Sequence, residues 1–373
     1  MKKKRLRKGL VFGMLFSLLA AMVVITVPTT VTGTVLDVGV GRTYATIGAA
    51  LTAATANDEI IVYDGTYYEN PTVAVSPINI YSANGAGNVI VDGGNSGSVF
   101  SITVNDVIID GFTIRNSGSS ESEGGIKIQG TSAIFDCTIK NCIITQNSNG
   151  ILLDDTRKCI IENNEIIGNS KGIYMIDCDG SAFSGTQGNT IKDNEIAGSE
   201  LDQQVGIYMD NSDYQKIQDN DADLNSDGNY GIHDHEVNGI YMQEGSDYNL
   251  IEGNIIESNL HGMSILGSDY NEIKENVLED NTYRGIDLAG DCTGNEIYHN
   301  NFYNNNGATS TYDEDHIQGQ DGSENNDWYD TSSSEGNYWS DWTTPDNNND
   351  DIIDYPYILD DSNQDPYPLE SPY

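Results

Sequence analysis

One unit recurs along this chain, Asn-x-Ile-x-x-Asn-x-apolar. It reads NTIKDNEI from Asn189, NLIEGNII from Asn249, NEIKENVL from Asn271 and NEIYHNNF from Asn295, with QKIQDNDA from Gln215 as a looser copy. CTIKNCII from Cys137 and CIIENNEI from Cys159 fit with Cys in place of Asn. A second unit alternates with it: GIKI at Gly125, GILL at Gly150, GIYM at Gly172, Gly206 and Gly239, GMSI at Gly262 and GIDL at Gly285. The tightest spacing between copies is 22 to 23 residues. A fixed period of this size points to a stack of like units, and within each unit the apolar residues alternate with the strand period of two. Short strands parted by Asn and Gly turns at one repeat length predict an all-β chain, a single-stranded parallel β-helix. Each repeat is one coil, about 4.8 Å from the next. Ile of the Asn unit, and Ile with Met or Leu of the Gly unit, are expected to fill the interior. The Asn side chains are expected to stack as turn ladders. Cys137, Cys142 and Cys159 fall at ladder positions, where a structural role is expected.

A stack of coils needs its open ends covered. TIGAALTAATAND reads as a short helix with Ile47, Ala50, Leu51 and Ala54 on one face, a natural N-terminal cap. Beyond about Phe302 the repeat stops, and the remaining acidic segment holds all three tryptophans, Trp328, Trp339 and Trp342. It is expected to be an irregular C-terminal cap. The expected layout is 1–33 as an export segment, 34–58 as the N-terminal cap, 59–305 as the β-helix and 306–373 as the acidic cap.

The first eight residues, MKKKRLRK, carry six basic side chains, and the apolar run GLVFGMLFSLLAAMVVITV follows. That pattern reads as a signal peptide or an uncleaved N-terminal membrane anchor, placing the protein outside the cytoplasm or on the cell surface. The whole chain has 17 Lys and Arg against 58 Asp and Glu, a formal net charge of −41. Such a surface repels nucleic acid and anionic membrane, so contact with a membrane is expected only through the N-terminal segment. Solubility in a salty medium and the binding of divalent cations both account for the acidity. Five cysteines are an odd number for a complete disulfide framework.

TYATIGAALTAATANDEIIVYDGTYYEN, the Gly and Asn coils, and GNYWSDW…PDNNNDDIIDYPY…DPYPL together resemble the NosD-like β-helix family, whose domain is called CASH after carbohydrate-binding proteins and sugar hydrolases. The resemblance runs from roughly Thr43 to Leu369. It implies a right-handed parallel β-helix of the pectin-lyase-like kind, exported or surface-bound. The family takes its name from a copper-delivery accessory. Here Met175, Met209 and Met242 fall at inward positions, and His261, His299 and His316 are scattered, which leaves copper little to bind. In PDNNNDDIIDYPY, Asp346, Asn348, Asp350 and Asp354 stand at positions 1, 3, 5 and 9 of a calcium-loop-like pattern, with the Ile352 carbonyl at 7. Asp351 replaces the usual turn glycine and Tyr357 the usual bidentate Glu. A structural Ca²⁺ and a plain Asn/Asp turn both remain open, and no organic cofactor is indicated.

Insertions in a solenoid become loops on its side, often around a binding face. The usual gap from the second Asn to the next Gly is 8 or 9 residues, but it is 12 from Asn194 to Gly206 and 19 from Asn220 to Gly239. From Gly172 to Asn189 it is 17. Three long loops (177–188, 197–205 and 221–238) therefore cluster on neighbouring coils. On the strands between them Tyr174, Tyr208 and Tyr241 are expected to point outward as a ladder, with Asp210 beside Tyr208. Loops around an aromatic floor suit a sugar chain. The third loop carries YGIHDHE, which resembles YGFDPHE, the active-site motif of mannuronan epimerases. Tyr230, Gly231, His235 and Glu236 match; His233 stands where that motif has its catalytic Asp, and Asp234 where it has Pro. The resemblance implies Tyr230 and His235 as an acid–base pair oriented by Asp234, with His233 in the groove. The leading expectation is an exported or surface β-helix that binds the glycan of a cell envelope, or forms part of it. The alternatives are a polysaccharide lyase, epimerase or hydrolase, a surface-layer scaffold, and copper delivery.

Overall fold

The computed structural model describes residues 33–180, 187–198, 205–223, 238–360 and 362–373. Strands from successive repeats pair in parallel and build three long sheets. The first holds 11 strands from Val35–Val38 to Glu296–Tyr298, and the second 11 from Gly65–Tyr68 to Tyr338–Trp339. The third holds 10, from Thr72–Val73 to Gly319–Asp321. A typical coil visits them in turn: Lys216–Gln218, Asp221–Asp223, then Asn238–Gln243, before Leu250–Glu252 begins the next. This is a single-stranded parallel β-helix, wound in the right-handed sense that parallel crossovers take.

In-register pairing stacks identical inward residues. Ile191, Ile217, Ile251, Ile273 and Ile297 form one column, and all are fully buried. In the third sheet Ile173, Ile207 and Ile240 form a second column and Met175, Met209 and Met242 a third, also without exposure. The three methionines are thus core side chains. Each such burial is worth roughly 1.5–3 kcal/mol.

At the corners the asparagines stack as the repeat predicts. The Asn164 N–H donates to Asn194 Oδ1 at 3.0 Å, and the relay passes through Asn220, Asn254, Asn276 and Asn300 to Asn337. A second column runs from Asn189 through Gln215, Asn249 and Asn271 to Asn295 and Asn326. A third passes from Asn259 through Asn281 and Asn305 to Gln318. Cys142 and Cys159 stand at the heads of two columns, their N–H groups donating to Asn164 and Asn189 at 3.0 and 2.9 Å. The described cysteines are all buried free thiols.

The backbone N–H groups of these columns all donate toward the C-terminal end, so each column ends on donors that need an acceptor. Three buried aspartates of the cap and the Tyr357 hydroxyl, which accepts the Gln318 N–H at 3.1 Å, supply it. Asp365 accepts from the Asn337 N–H at 2.7 Å, Asp341 from the Gln318 side chain at 2.6 Å, and Asp321 from the Asn326 side chain at 3.2 Å. Trp339 and Trp328 indoles also donate to Asp365 and Asp321. Burial raises all three carboxyls, Asp365 to about 7.

Both ends are covered. α1 (Ile47–Ala53) buries Ile47, Ala50 and Leu51, is capped by Thr46, and directs the Ile47 and Gly48 N–H groups at the Glu69 carboxylate. It is shorter than the sequence pattern suggests, because Ala54 is already extended (ψ 149°). At the other end Phe302, Trp339 and Tyr357 stack face to face at 4.1 and 4.0 Å. The segment after the last repeat also adds Gly319–Asp321 to the third sheet and Tyr338–Trp339 to the second. Among the described residues no helix is long and apolar enough to cross a membrane. The basic and apolar N-terminal run, with its signal or anchor reading, lies outside them.

Candidate binding face on the third sheet

From Gly124–Ile128 to His261–Leu266, each strand of the third sheet enters through a glycine because the coils crowd there. A Cβ on Gly206 would lie 2.6 Å from the Gly239 carbonyl oxygen, and one on Gly262 2.5 Å from that of Gly285. With Ile and Met turned inward, the tyrosine register and the one two residues after it form rows on the outer face, while the register three residues before the tyrosines lies at the strand entry, where Val205 and Asn238 are buried. The tyrosine row runs Lys127, Leu152, Tyr174, Tyr208, Tyr241, Ser264 and Asp287. Tyr174 and Tyr208 stack with centroids 4.8 Å apart and planes 12° apart, whereas Tyr241 tilts 45° from Tyr208 at 5.1 Å. These separations give an offset stack that leaves part of each ring face open.

The register before it contains Lys171, Val205, Asn238 and His261. Lys171 Nζ lies 4.8 and 5.2 Å from the Tyr174 and Tyr208 ring centres and pairs with Glu121 at 3.4 Å. The row after it contains Asp154, Ile176, Asp210 and Gln243. These close around the tyrosine hydroxyls. Tyr174 Oη donates to Asp210 Oδ2 at 3.4 Å, Gln243 Nε2 to Tyr208 Oη at 2.6 Å, and Tyr241 Oη to Gln243 Oε1 at 3.1 Å. Burial, with Asp210 close by, pushes Tyr174 up to about 12 and raises Tyr208 as well, so both stay protonated donors at neutral pH. Burial raises Asp210 too, against the Gln243 hydrogen bond.

Toward the C-terminal end the face changes character. His261 Nδ1 sits 3.7 Å from Asp287 Oδ2, and its ring stacks on Tyr283 at 5.5 Å. Arg284 donates to Gln320 Oε1 at 3.3 Å and to the Ile317 carbonyl. Burial lowers its affinity for its proton. A general base needs a carboxylate to orient it, and a bound substrate needs a donor to fix it; His261, Asp287 and Arg284 are of those types. In the sequence His261 is one of several scattered histidines, since only the register shows which residues share a face.

A family model described as "Right handed beta helix region" matches residues 124–302 and 229–321. The chain belongs to that family. By fold this β-helix resembles the Azotobacter vinelandii mannuronan C-5 epimerase AlgE6 A-module (12% identity, 78% of this chain and 88% of that one, TM-score 0.48). It also resembles ORF18 of Geobacillus virus E2 (12% identity, 76% and 57%, TM-score 0.54). A third similar structure is XylC in complex with xylose (12% identity, 78% and 76%, TM-score 0.51). At these identities the likeness is one of fold. No curated protein matches the β-helix by sequence.

Tyr230, His233, Asp234 and His235 lie outside the described residues, as does most of the three long connections. In the calcium-like loop, Asp346 accepts from the Asn349 and Asp351 N–H groups, and Asp350 from the Ile352 N–H and the Asn348 side chain. Asp354 accepts from Asn347. The loop's own amides thus hold its carboxylates, and among the described residues no three His, Cys, Asp or Glu side chains gather as a metal cluster. The donors are of the oxygen type calcium takes.

The β-helix has a second tyrosine column that the sequence reading passed over. The triplets DYQ from Asp213, DYN from Asp247 and DYN from Asp269 stand in the corner between the third and first sheets. Tyr214, Tyr248 and Tyr270 stack at 5.0 and 5.1 Å with planes 7° and 10° apart. All three are left-handed, with φ of 59°, 57° and 55°. For three non-glycine residues that conformation costs on the order of 3–6 kcal/mol in total. Two stacked pairs return about 1–3 kcal/mol.

Proposed function

We propose that this protein binds a saccharide chain along the outer face of its third sheet and acts outside the cytoplasm, in or on the cell envelope. The observation that carries the proposal is the in-register Tyr174–Tyr208–Tyr241 column with Lys171 over its rings and Asp210 and Gln243 at its hydroxyls. Pyranose C–H faces pack on aromatic rings, while Lys171 on one side and Asp210 and Gln243 on the other can pair with sugar hydroxyls. A stack made only to stabilise the sheet has no need of Lys171, Asp210 and Gln243 beside it. The xylose in the XylC complex belongs to the same class of ligand. Membership of the NosD-like CASH branch, resting on GNYWSDW and PDNNNDDIIDYPY, is part of the same proposal. So is export by the N-terminal segment.

The test is affinity electrophoresis in gels cast with soluble polysaccharides, comparing the protein with Tyr208→Ala. We expect retention by at least one glycan and roughly tenfold weaker binding in the variant, equal to about 1.4 kcal/mol. Retention that the variant leaves untouched would remove this face from the proposal.

Catalysis is the second reading, favoured by the His261–Asp287 pair beside Arg284 at the end of the aromatic row. In this reading His261 moves the proton, Asp287 orients it and Arg284 fixes the substrate. The Tyr230, Asp234 and His235 set of the third long loop is the competing proposal. A depolymerisation assay with His261→Ala and His235→Ala separates them, since each predicts loss in one variant alone. A calcium staple at Asp346–Asp354 would require those carboxylates to turn from the loop amides to the ion. Melting in calcium and in EDTA decides it: a calcium-dependent rise supports the staple, and a chelator-insensitive transition dismisses it.

A further inference from the structure

The corner column Tyr214–Tyr248–Tyr270 is the more accessible of the two aromatic strips. Tyr248 is 46% exposed and Tyr270 50%, whereas the tyrosines of the third sheet are half-buried. Its hydroxyls also differ. Those of Tyr174, Tyr208 and Tyr241 are engaged by Asp210 and Gln243; among the described residues those of Tyr214, Tyr248 and Tyr270 make no hydrogen bond. The strip ends against a glycine of the next coil, since a Cβ on Gly294 would lie 2.6 Å from the Tyr270 ring. That coil meets the same left-handed corner with Gly294 (φ 70°). Three successive coils therefore carry a residue type the backbone disfavours, and mutual stacking does not offset the strain.

Alongside runs a column of carboxylates. Asp213 Oδ1 accepts the Asp247 N–H at 2.8 Å, Asp247 Oδ1 the Asp269 N–H at 2.6 Å, and Asp269 Oδ1 the Thr293 N–H at 2.7 Å. Each aspartate is thereby fixed with its second oxygen uncommitted to that relay. The strip is a row of offset rings with hydroxyls at the tips and acceptors at the base. Tyr248 and Tyr270, each exposing about half its surface, offer on the order of 200 Å². A stable protein partner needs about 800 Å² per side, so the strip is too small for one, but two or three sugar rings fit it. The carboxylate column, in a chain of net charge −41, disfavours an anionic chain.

We infer that Tyr214, Tyr248 and Tyr270 form a second saccharide-binding strip, selective for uncharged chains, so that one molecule holds two glycan segments. The inference rests on the proposed function for its class of ligand and adds a separate site. Two sites on one rigid body bridge chains rather than merely coat them.

The experiment is isothermal titration of the full chain with neutral hexasaccharides (cello-, xylo- and mannohexaose). Tyr248→Gly removes a ring and relieves the left-handed strain, so its melting point should hold or rise. Tyr248→Phe keeps the ring as the conservative control. We expect two sites in the wild type and in Tyr248→Phe, and one site each in Tyr248→Gly and Tyr208→Ala. A single wild-type site lost in Tyr208→Ala but intact in Tyr248→Gly would overturn the second strip and leave the proposed function standing. The reverse pattern would support the strip and overturn the third-sheet face. Binding of none of the three sugars would overturn the strip, and so would a Tyr248→Gly effect on sedimentation alone, which would make the strip a contact between copies.

Discussion

Tyr248 holds a φ of 57°, in a corner where the next coil but one uses glycine. Its replacement therefore separates structure from function in a way few aromatic substitutions do. Tyr248→Gly is expected to change stability by less than about 1 kcal/mol, because lost stacking and relieved strain oppose one another. Thermal melting checks this, and a loss of several kcal/mol would show that the stack is chiefly structural. Asp365 is the second residue whose environment makes a measurable difference. Burial raises its carboxyl to about 7 although Trp339 and Asn337 donate to it. The folded state therefore holds a proton that the unfolded chain releases near pH 4. The stabilisation is present in full below about pH 4 and is lost as pH rises through about 7, on the order of a few kcal/mol. Asp365→Asn, nearly the same shape and uncharged, should flatten the stability profile between pH 5 and 8. Chemical unfolding across that range reads the difference, and an unchanged slope would place the proton elsewhere.

Among the elements, the asparagine columns were the most legible from sequence. Asn at a fixed offset before a short apolar alternation names its own corner, and even Gln215 takes its place in the relay. What sequence could not show is how the columns end. Asn337 and Asp365 are 28 positions apart and meet only because the cap folds back over the open coil. The tyrosine corner is not legible from sequence for another reason: aromatic residues are not expected at a left-handed position. A mid-column Asn carries several bonds at once. Asn220 Oδ1 accepts from the Asn194 N–H and side chain, and its own Nδ2 donates to Ile191 and Asn254. Asn220→Ala leaves those buried partners unsatisfied and should cost about 3–5 kcal/mol, measured by denaturant unfolding. Loss below 1 kcal/mol would mean the column carries little load.

At the scale of the molecule, charge and fold pull apart. A net charge of −41 opposes compaction, while three parallel sheets and three amide columns hold the coils together. Salt screens charges over about 8 Å at physiological ionic strength, so the melting point should rise with added sodium chloride; a salt-independent transition would contradict this. The fold was readable from period and patterning because each coil repeats the same solution. The binding face was readable only in part. Tyr174, Tyr208 and Tyr241 follow from the strand period, but the approach of His261 to Asp287 needs the register of two coils. The catalytic reading of Tyr230, Asp234 and His235 stayed at the level of spelling.

The central claim is that the outer face of the third sheet holds a saccharide chain. Affinity electrophoresis of Tyr208→Ala beside the wild type tests it most directly. Retention by a glycan that weakens about tenfold in the variant, with melting unchanged within a few degrees, is the predicted result. Equal retention of both proteins, or of neither, would contradict it.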